Sequence, residues 1–283
     1  MGQWMVRMGE SMLKSKPVRK HFTRVLRNTL IAQCNIRNAE VNIRTEGGLM
    51  FVSGEDDDAI VDALKHTFGV NAVDPFTEVP PTPEDVATAA LEANPNPEGS
   101  FAVRCKRHGQ KGEWTSQTFA GATGAAVIEK IKLDVDLSNP DWEIRVALFP
   151  DKVRLLGTRF MGPGGLPSGV QGLVMAHMNS EEDVLCAWLM MHRGCRIQAE
   201  QGTTEKLKAW DPALASDEYA EKLVTGPGRK KNPEPWGLVA HHLPNAPTTI
   251  GEEVSIRTPL VHLEPLVGWS EQDIDELKIR VFG

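Results

Sequence analysis

Six patterned segments in one fixed order fill the first 79 residues and leave few folds open to them. Residues 3–7 read as a strand, and a helix runs from Pro17 with Phe22, Val25, Leu26, Leu30 and Ile31 at helical spacing. Two alternating runs follow at 40–44 and 49–52, separated by Glu46-Gly47-Gly48, a hairpin signal. A helix over 58–67 and a strand over 72–79 complete the set. The order strand, helix, strand, strand, helix, strand predicts a four-stranded antiparallel sheet with both helices on one face.

Pro80, Pro81 and Pro83 then break the chain before a helix over 84–93, which Asn94-Pro95-Asn96-Pro97 closes. Residues 100–106 read as a strand, Thr115 or Ser116 caps a helix carrying Ala125, Ala126, Ile128 and Ile131, and 143–148 with 152–156 read as a strand pair. The run Gly162-Pro163-Gly164-Gly165-Leu166-Pro167 cannot be regular helix or central strand and ends this second unit. Beyond it, a buried strand at 173–177 feeds an apolar helix at 185–191 that stops at Arg193-Gly194, the beginning of a parallel α/β sheet. Residues 200–236 carry weaker signals, order returns near 237–241 and 260–266, and a last helix starts at Ser270 with Asp273 at the capping-box position. The expected architecture is an α+β ferredoxin-like domain over 1–79, a small α/β domain over 80–165, and a parallel α/β domain over 166–283.

A length of 283 residues accommodates two or three such units, and 41% apolar with 24% charged residues excludes collagen-like and wholly disordered chains. The net charge of −7 argues at first against nucleic acid, but it is unevenly spread. Residues 1–48 hold nine Lys or Arg against three Asp or Glu, a balance of +6, whereas 49–98 hold one against eleven, a balance of −10. Residues 99–165 return to +3 and 166–283 to −6. Two basic stretches therefore offer themselves to phosphate. Cys34, Cys105, Cys186 and Cys195 form no CxxC pair, the amino terminus lacks a signal-peptide core, and no run reaches membrane-spanning length, so a cytoplasmic protein without structural disulfides is expected.

Several ordered motifs carry a resemblance. Val6-Arg7-Met8-Gly9-Glu10 with Lys14-Ser15-Lys16, then the stretch Phe101 to Arg107 with Thr115-Ser116 and Gly124-Ala125-Ala126, then Val135 to Asp141, then GPGGLPSGVQG at 162–172, then Ala187 to Gly194 and Pro265 to Ile274, resemble the tRNA 4-thiouridine synthetases, or tRNA sulfurtransferases. That resemblance implies a ferredoxin-like domain, a THUMP RNA-binding domain and a PP-loop ATP pyrophosphatase domain, with tRNA as partner. It places RNA contact at Lys14, Lys16, Arg19 and Lys20, and in the THUMP unit at Arg104, Lys106, Arg107, Lys111, Lys130, Lys132 and Arg159. Alternation along a strand lets Arg104 and Lys106 share a face.

One segment departs from the family. Where the PP-loop signature Ser-Gly-Gly-x-Asp-Ser belongs, this chain has Met178, Asn179, Ser180, Glu181, Glu182 and Asp183. No glycine remains to let backbone N–H groups approach a phosphate, and three carboxylates suit a helix start while repelling a pyrophosphate. The domain over 166–283 thus reads as a shortened, degenerate PP-loop unit, and no cofactor is expected. An active sulfurtransferase would instead need ATP and Mg²⁺, with Cys186 or Cys195 as the sulfur carrier, and an interaction scaffold is the third reading. A separate tRNA-modifying enzyme or sulfur donor, or a second copy of the chain, is the expected protein partner. His241, His242 and His262, or Cys195 with His192, match no zinc spacing, so no metal is expected. Arg229-Lys230-Lys231 reads as an exposed loop, Glu55 to Asp58 as a solvated helix start, and Trp114 and Trp142 as packing residues.

Overall fold

The computed structural model describes residues 1–9, 13–109, 112–223, 225, 234–243 and 260–283. The first unit comprises β1 (Gly2–Met8), α1 (Lys16–Asn35), β2 (Val41–Glu46), β3 (Leu49–Gly54), α2 (Asp57–Lys65) and β4 (Val70–Val79). The β2–β3 hairpin turns on Gly47 and Gly48, whose φ values of 57° and 81° are what a two-residue turn of this hand requires. One sheet face, with Trp4, Val6, Met50, Val52 and Val73, packs against Leu26 and Leu30 of α1 and Ile60 and Leu64 of α2. The acidic run starts α2, where Asp56 accepts the N–H of Ala59 at 3.0 Å.

The second unit continues the same sheet. It consists of α3 (Pro83–Ala93), β5 (Ser100–Arg107), α4 (Ser116–Lys130), β6 (Asp134–Val135), β7 (Trp142–Leu148), β8 (Val153–Leu156) and β9 (Phe160–Met161). Thr115 rather than Ser116 caps α4, in a capping box with Thr118. Strand order is β2-β3-β1-β4-β8-β7-β5-β6, with β9 also pairing β4. The junction is β4 itself: Val70 to Pro75 pair antiparallel with β1, and Phe76 to Val79 pair with β8 on the other edge. The hand-over falls at Pro75, which has no N–H to give to a ladder. Helices α3 and α4 cover the second half of the sheet on the same side as α1 and α2 cover the first, over Phe101, Ile144, Val146, Leu148 and Val153.

The opposite face has no helix and holds a smaller apolar cluster of Met5, Leu49, Phe51, Phe76, Ala147 and Phe149. Cross-strand register carries this face outward from Met5 through Asp74, Phe76, Leu156 and Arg145 to Arg104.

The third unit is a four-stranded parallel sheet in the order β11-β10-β12-β13, built from β10 (Leu173–Met178), α5 (Glu181–His192), β11 (Arg196–Gly202), α6 (Pro212–Ala215), α7 (Asp217–Lys222), β12 (Gly237–Val239), β13 (Val261–Leu263) and α8 (Glu271–Phe282). Ser270 and Asp273 form the capping box expected of α8. Strand β11 and the short helices α6 and α7 add to the sequence reading, which assigned no element to 195–199 and only weak signals to 200–236. Arg196 at the start of β11 is buried and its Nη1 donates to both carboxylate oxygens of Asp211, at 2.7 and 2.9 Å, so the strand looks polar in sequence although its first residues are interior. Helix α5 also begins four residues earlier than the apolar run alone indicates, because its first turn is acidic. The connecting Gly165 has φ 72° and lies so close to α5 that an added Cβ would collide with the carbonyl oxygen of His192.

Candidate nucleic-acid interface

A cavity of about 850 Å³ opens on the second unit, lined on one side by Gln117, Ala120, Gly121, Gly124, Ala125 and Ile128 of α4 and on the other by Arg104, Lys106, Arg145 and Arg159 with Arg7 from β1. Its lining includes Val103 and Cys105 as well as Arg104 and Lys106, residues that point to opposite faces of β5, so the cavity wraps the edge of that strand. Among the described residues, β6 pairs with β5 only at Ser100 and Phe101, which leaves the rest of the outer edge without a strand. One wall is therefore small and apolar, and the other is cationic.

The structure sorts the basic candidates. Lys106 is exposed on the cavity wall and makes no ion pair among the described residues. Arg104 is held there by Glu143 at 3.0 Å and by the carbonyl of Leu137 at 2.7 Å. Arg159 also lines the cavity, where it forks onto Asp74 at 2.9 and 3.0 Å. Arg107 faces the other way and donates to the carbonyl of Trp114. Lys130 and Lys132 lie exposed at the end of α4, outside the cavity lining, where Lys130 suits the negative end of the helix. Lys111 lies outside the described residues, as do Arg229, Lys230 and Lys231.

Lys14, Lys16, Arg19 and Lys20 gather instead at the start of α1, which has no acidic residue in its first turn and no side-chain cap from Ser15. Cations at the positive end of a helix are disfavoured by roughly 0.3–1 kcal/mol each. Among the described residues no carboxylate pairs with these cations, and a bound polyanion would compensate them.

Two residues that sequence reasoning did not assign complete the cavity: Arg7 and Arg145. Arg7 donates to Asp74 at 3.1 Å and Arg145 is hydrogen-bonded to the same carboxylate. Burial alone would raise the pKa of Asp74, but the hydrogen bonds and charges of Arg159 and Arg145 outweigh it and hold the carboxyl below its ordinary value.

The segment Met178 to Asp183 forms the turn from β10 into α5. Ser180 accepts the N–H of Asp183 at 3.1 Å, and Asp183 in return accepts the N–H groups of Asn179 and Ser180, both at 3.1 Å. The second oxygen of Asp183 accepts the N–H of His241, just past β12, at 2.8 Å. Because β11 lies on one side of β10 and β12 on the other, this is the crevice where the strand order reverses, the usual ligand position of an open parallel sheet. Asp183 engages three backbone donors there. Glu181 and Glu182 are paired with Lys206 at 2.8 Å and Lys278 at 2.9 Å. Of the thiols, Cys186 and Cys195 are buried, and burial pushes both up to about 12.

Among the described residues no helix is long and apolar enough to cross a membrane. Residues 3–73 match the ThiI ferredoxin-like domain and residues 84–156 match the THUMP domain. A probable tRNA sulfurtransferase of Methanocaldococcus jannaschii is 32% identical over 203 residues, covering 68% of this chain and 53% of that protein. One from Methanothermobacter thermautotrophicus is 32% identical over 204 residues, covering 69% and 51%. The chain thus spans about half the length of the curated relatives it matches. In fold, PH1313 from Pyrococcus horikoshii is similar with a TM-score of 0.75 at 21% identity, over 99% of each chain. A 4-thiouridine synthetase crystallised with RNA and bound ATP is similar with a TM-score of 0.58 at 23% identity, over 70% of this chain and 52% of that one. With matches to the ThiI ferredoxin-like and THUMP domains and to these tRNA sulfurtransferases over two thirds of its length, the chain belongs to the tRNA 4-thiouridine synthetase family.

Proposed function

We propose that the protein binds tRNA through the cationic cavity of its first two units and takes part in tRNA modification without adenylating the RNA itself. The observation that carries the binding half is the cavity: Arg7, Arg104, Lys106, Arg145 and Arg159 reach one concave surface although the chain as a whole is acidic. Structured RNA is read through phosphates and shape, which a dispersed cationic wall beside a small-residue wall suits. The relatives named as tRNA sulfurtransferases support the same partner.

The second half rests on Asp183. The crevice in which a degenerate PP-loop would hold phosphates has its backbone donors turned onto a carboxylate of the chain itself, and the thiols that a sulfur carrier would use are buried with their pKa raised. A separate modifying enzyme or sulfur donor supplies the chemistry in this reading.

Binding of tRNA across a salt series tests it. Affinity falls with salt with a log–log slope of roughly −3 or steeper, and Lys106→Ala makes that slope shallower by about one. Salt-independent binding, unaltered by that substitution, overturns the proposal. A parallel titration expects no saturable, magnesium-dependent binding of ATP, and its appearance, with loss on changing Glu181 or Glu182, restores the active-enzyme alternative.

A further inference from the structure

The floor of the cavity is more specific than general affinity for RNA demands. Asp74 is completely buried, and guanidinium groups from three separate segments converge on its two oxygens: Arg7 from β1, Arg145 from β7 and Arg159 from the stretch after β8. One negative charge therefore anchors three positive ones. The surplus of two faces the cavity, since all three arginines line it and their side chains remain 21%, 20% and 40% exposed.

The ring is also under-used as a donor. Arg7 spends only its Nε on Asp74, and Arg159 spends Nε and Nη2, so both terminal nitrogens of Arg7 and Nη1 of Arg159 keep donors with no partner among the described residues. Pre-orientation by a buried carboxylate removes much of the rotamer entropy that such long side chains otherwise lose on binding.

A ligand that complements this ring carries about two negative charges and several acceptor oxygens within one small group. A phosphate monoester has roughly −1.5 to −2 charges at neutral pH and three terminal oxygens, whereas an internal phosphodiester has one charge and two. We propose that the Asp74-anchored ring of Arg7, Arg145 and Arg159 binds a terminal phosphate monoester of the RNA, while Arg104 and Lys106 follow the adjoining backbone. The proposal rests on the RNA-binding reading above and assigns one end of that RNA to one site.

The 5′ and 3′ ends share this chemistry, so the test compares one tRNA transcript in three forms: 5′-phosphate, 5′-hydroxyl, and 5′-hydroxyl with a 3′-phosphate. Binding to the full chain is measured at a fixed moderate salt concentration. A form that carries the recognised phosphate binds on the order of tenfold more tightly than its unphosphorylated twin, as expected for added charge-assisted hydrogen bonds. Arg159→Ala abolishes the difference. Lys106→Ala weakens all three forms alike and preserves it. Arg159→Lys, which keeps the charge beside Asp74 but loses the fork, shrinks the preference and serves if the alanine variant does not fold. Equal affinity of all three forms for the unaltered chain overturns the ring as a phosphate site while leaving RNA binding intact, and failure of every form to bind overturns the RNA-binding reading with it.

Discussion

The guanidinium carbon of Arg154 lies 3.9 Å from the ring centre of Phe51, at the point where β4 changes partners. The side chain is fully buried, has Phe149 at 4.2 Å and Phe76 at 5.0 Å as further neighbours, and is paired with Glu78 at 3.2 Å. Its Nη1 has no hydrogen-bond partner among the described residues. The aromatic rings on the helix-free face are thereby occupied by the protein's own cation. Arg154→Ala is expected to cost about 3 kcal/mol through the cavity and the lost ring contacts, and Arg154→Met about half of that, because an apolar chain of similar length refills the space, while Glu78 keeps Arg44 in both. Urea denaturation of the two variants checks the order.

Asp183 acts as the resident anion of the β10–α5 crevice. Asp183→Ala removes a cap and leaves the N–H groups of Asn179, Ser180 and His241 without their acceptor, at an expected cost of about 2–4 kcal/mol. Sulfate then raises the melting temperature of the variant more than that of the unaltered chain, relative to chloride at equal ionic strength. The comparison between proteins matters because sulfate strengthens burial in any protein.

Acid destabilises the protein in two stages. Burial and neighbouring cations push the pKa of His108 down to about 4 from its ordinary 6.5, so between these values the unfolded chain binds more protons and stability falls as pH is lowered. Asp74 is held below the ordinary carboxylate value, and its contribution, complete above that value, is lost only at more acid pH. His108→Gln flattens the upper stage alone in a series of melts from pH 7 to pH 4.

Thiol accessibility distinguishes the cavity from the core. Cys34, Cys186 and Cys195 are buried, whereas Cys105 is partly exposed and lines the cavity. Burial pushes Cys105 up to about 11, so its reaction with a maleimide is slow but measurable, and the other three react only on unfolding. Bound tRNA should protect Cys105, and rapid labelling of Cys186 or Cys195 in the folded chain contradicts their placement.

The N-terminal elements were legible because each has one wet face and one dry face: Phe22, Val25, Leu26 and Leu30 mark α1 without reference to anything else in the chain. Strand β11 was not, since its burial depends on Asp211, fifteen residues on, to neutralise Arg196. The same limit applies to the candidate interface. Arg104 and Lys106 stand out as a basic pair on one strand, but Arg7, Arg145 and Asp74 come from three strands and meet only through cross-strand register. The helix-cap reading of Ser180 to Asp183 was available locally, whereas the reach of Asp183 to His241 was not.

The shared strand β4 ties the two leading units to a common parity. Side chains alternate along it, so an insertion or deletion of one residue near Pro75 would send Phe76 and Glu78 to the helix side and Thr77 and Val79 to the other, while Asp74 kept its arginines. Changes of length in this strand are tolerable only in pairs or at its ends. The link between the two units is therefore a constraint on how genes for such chains can lengthen or shorten, one that no loop connection would impose.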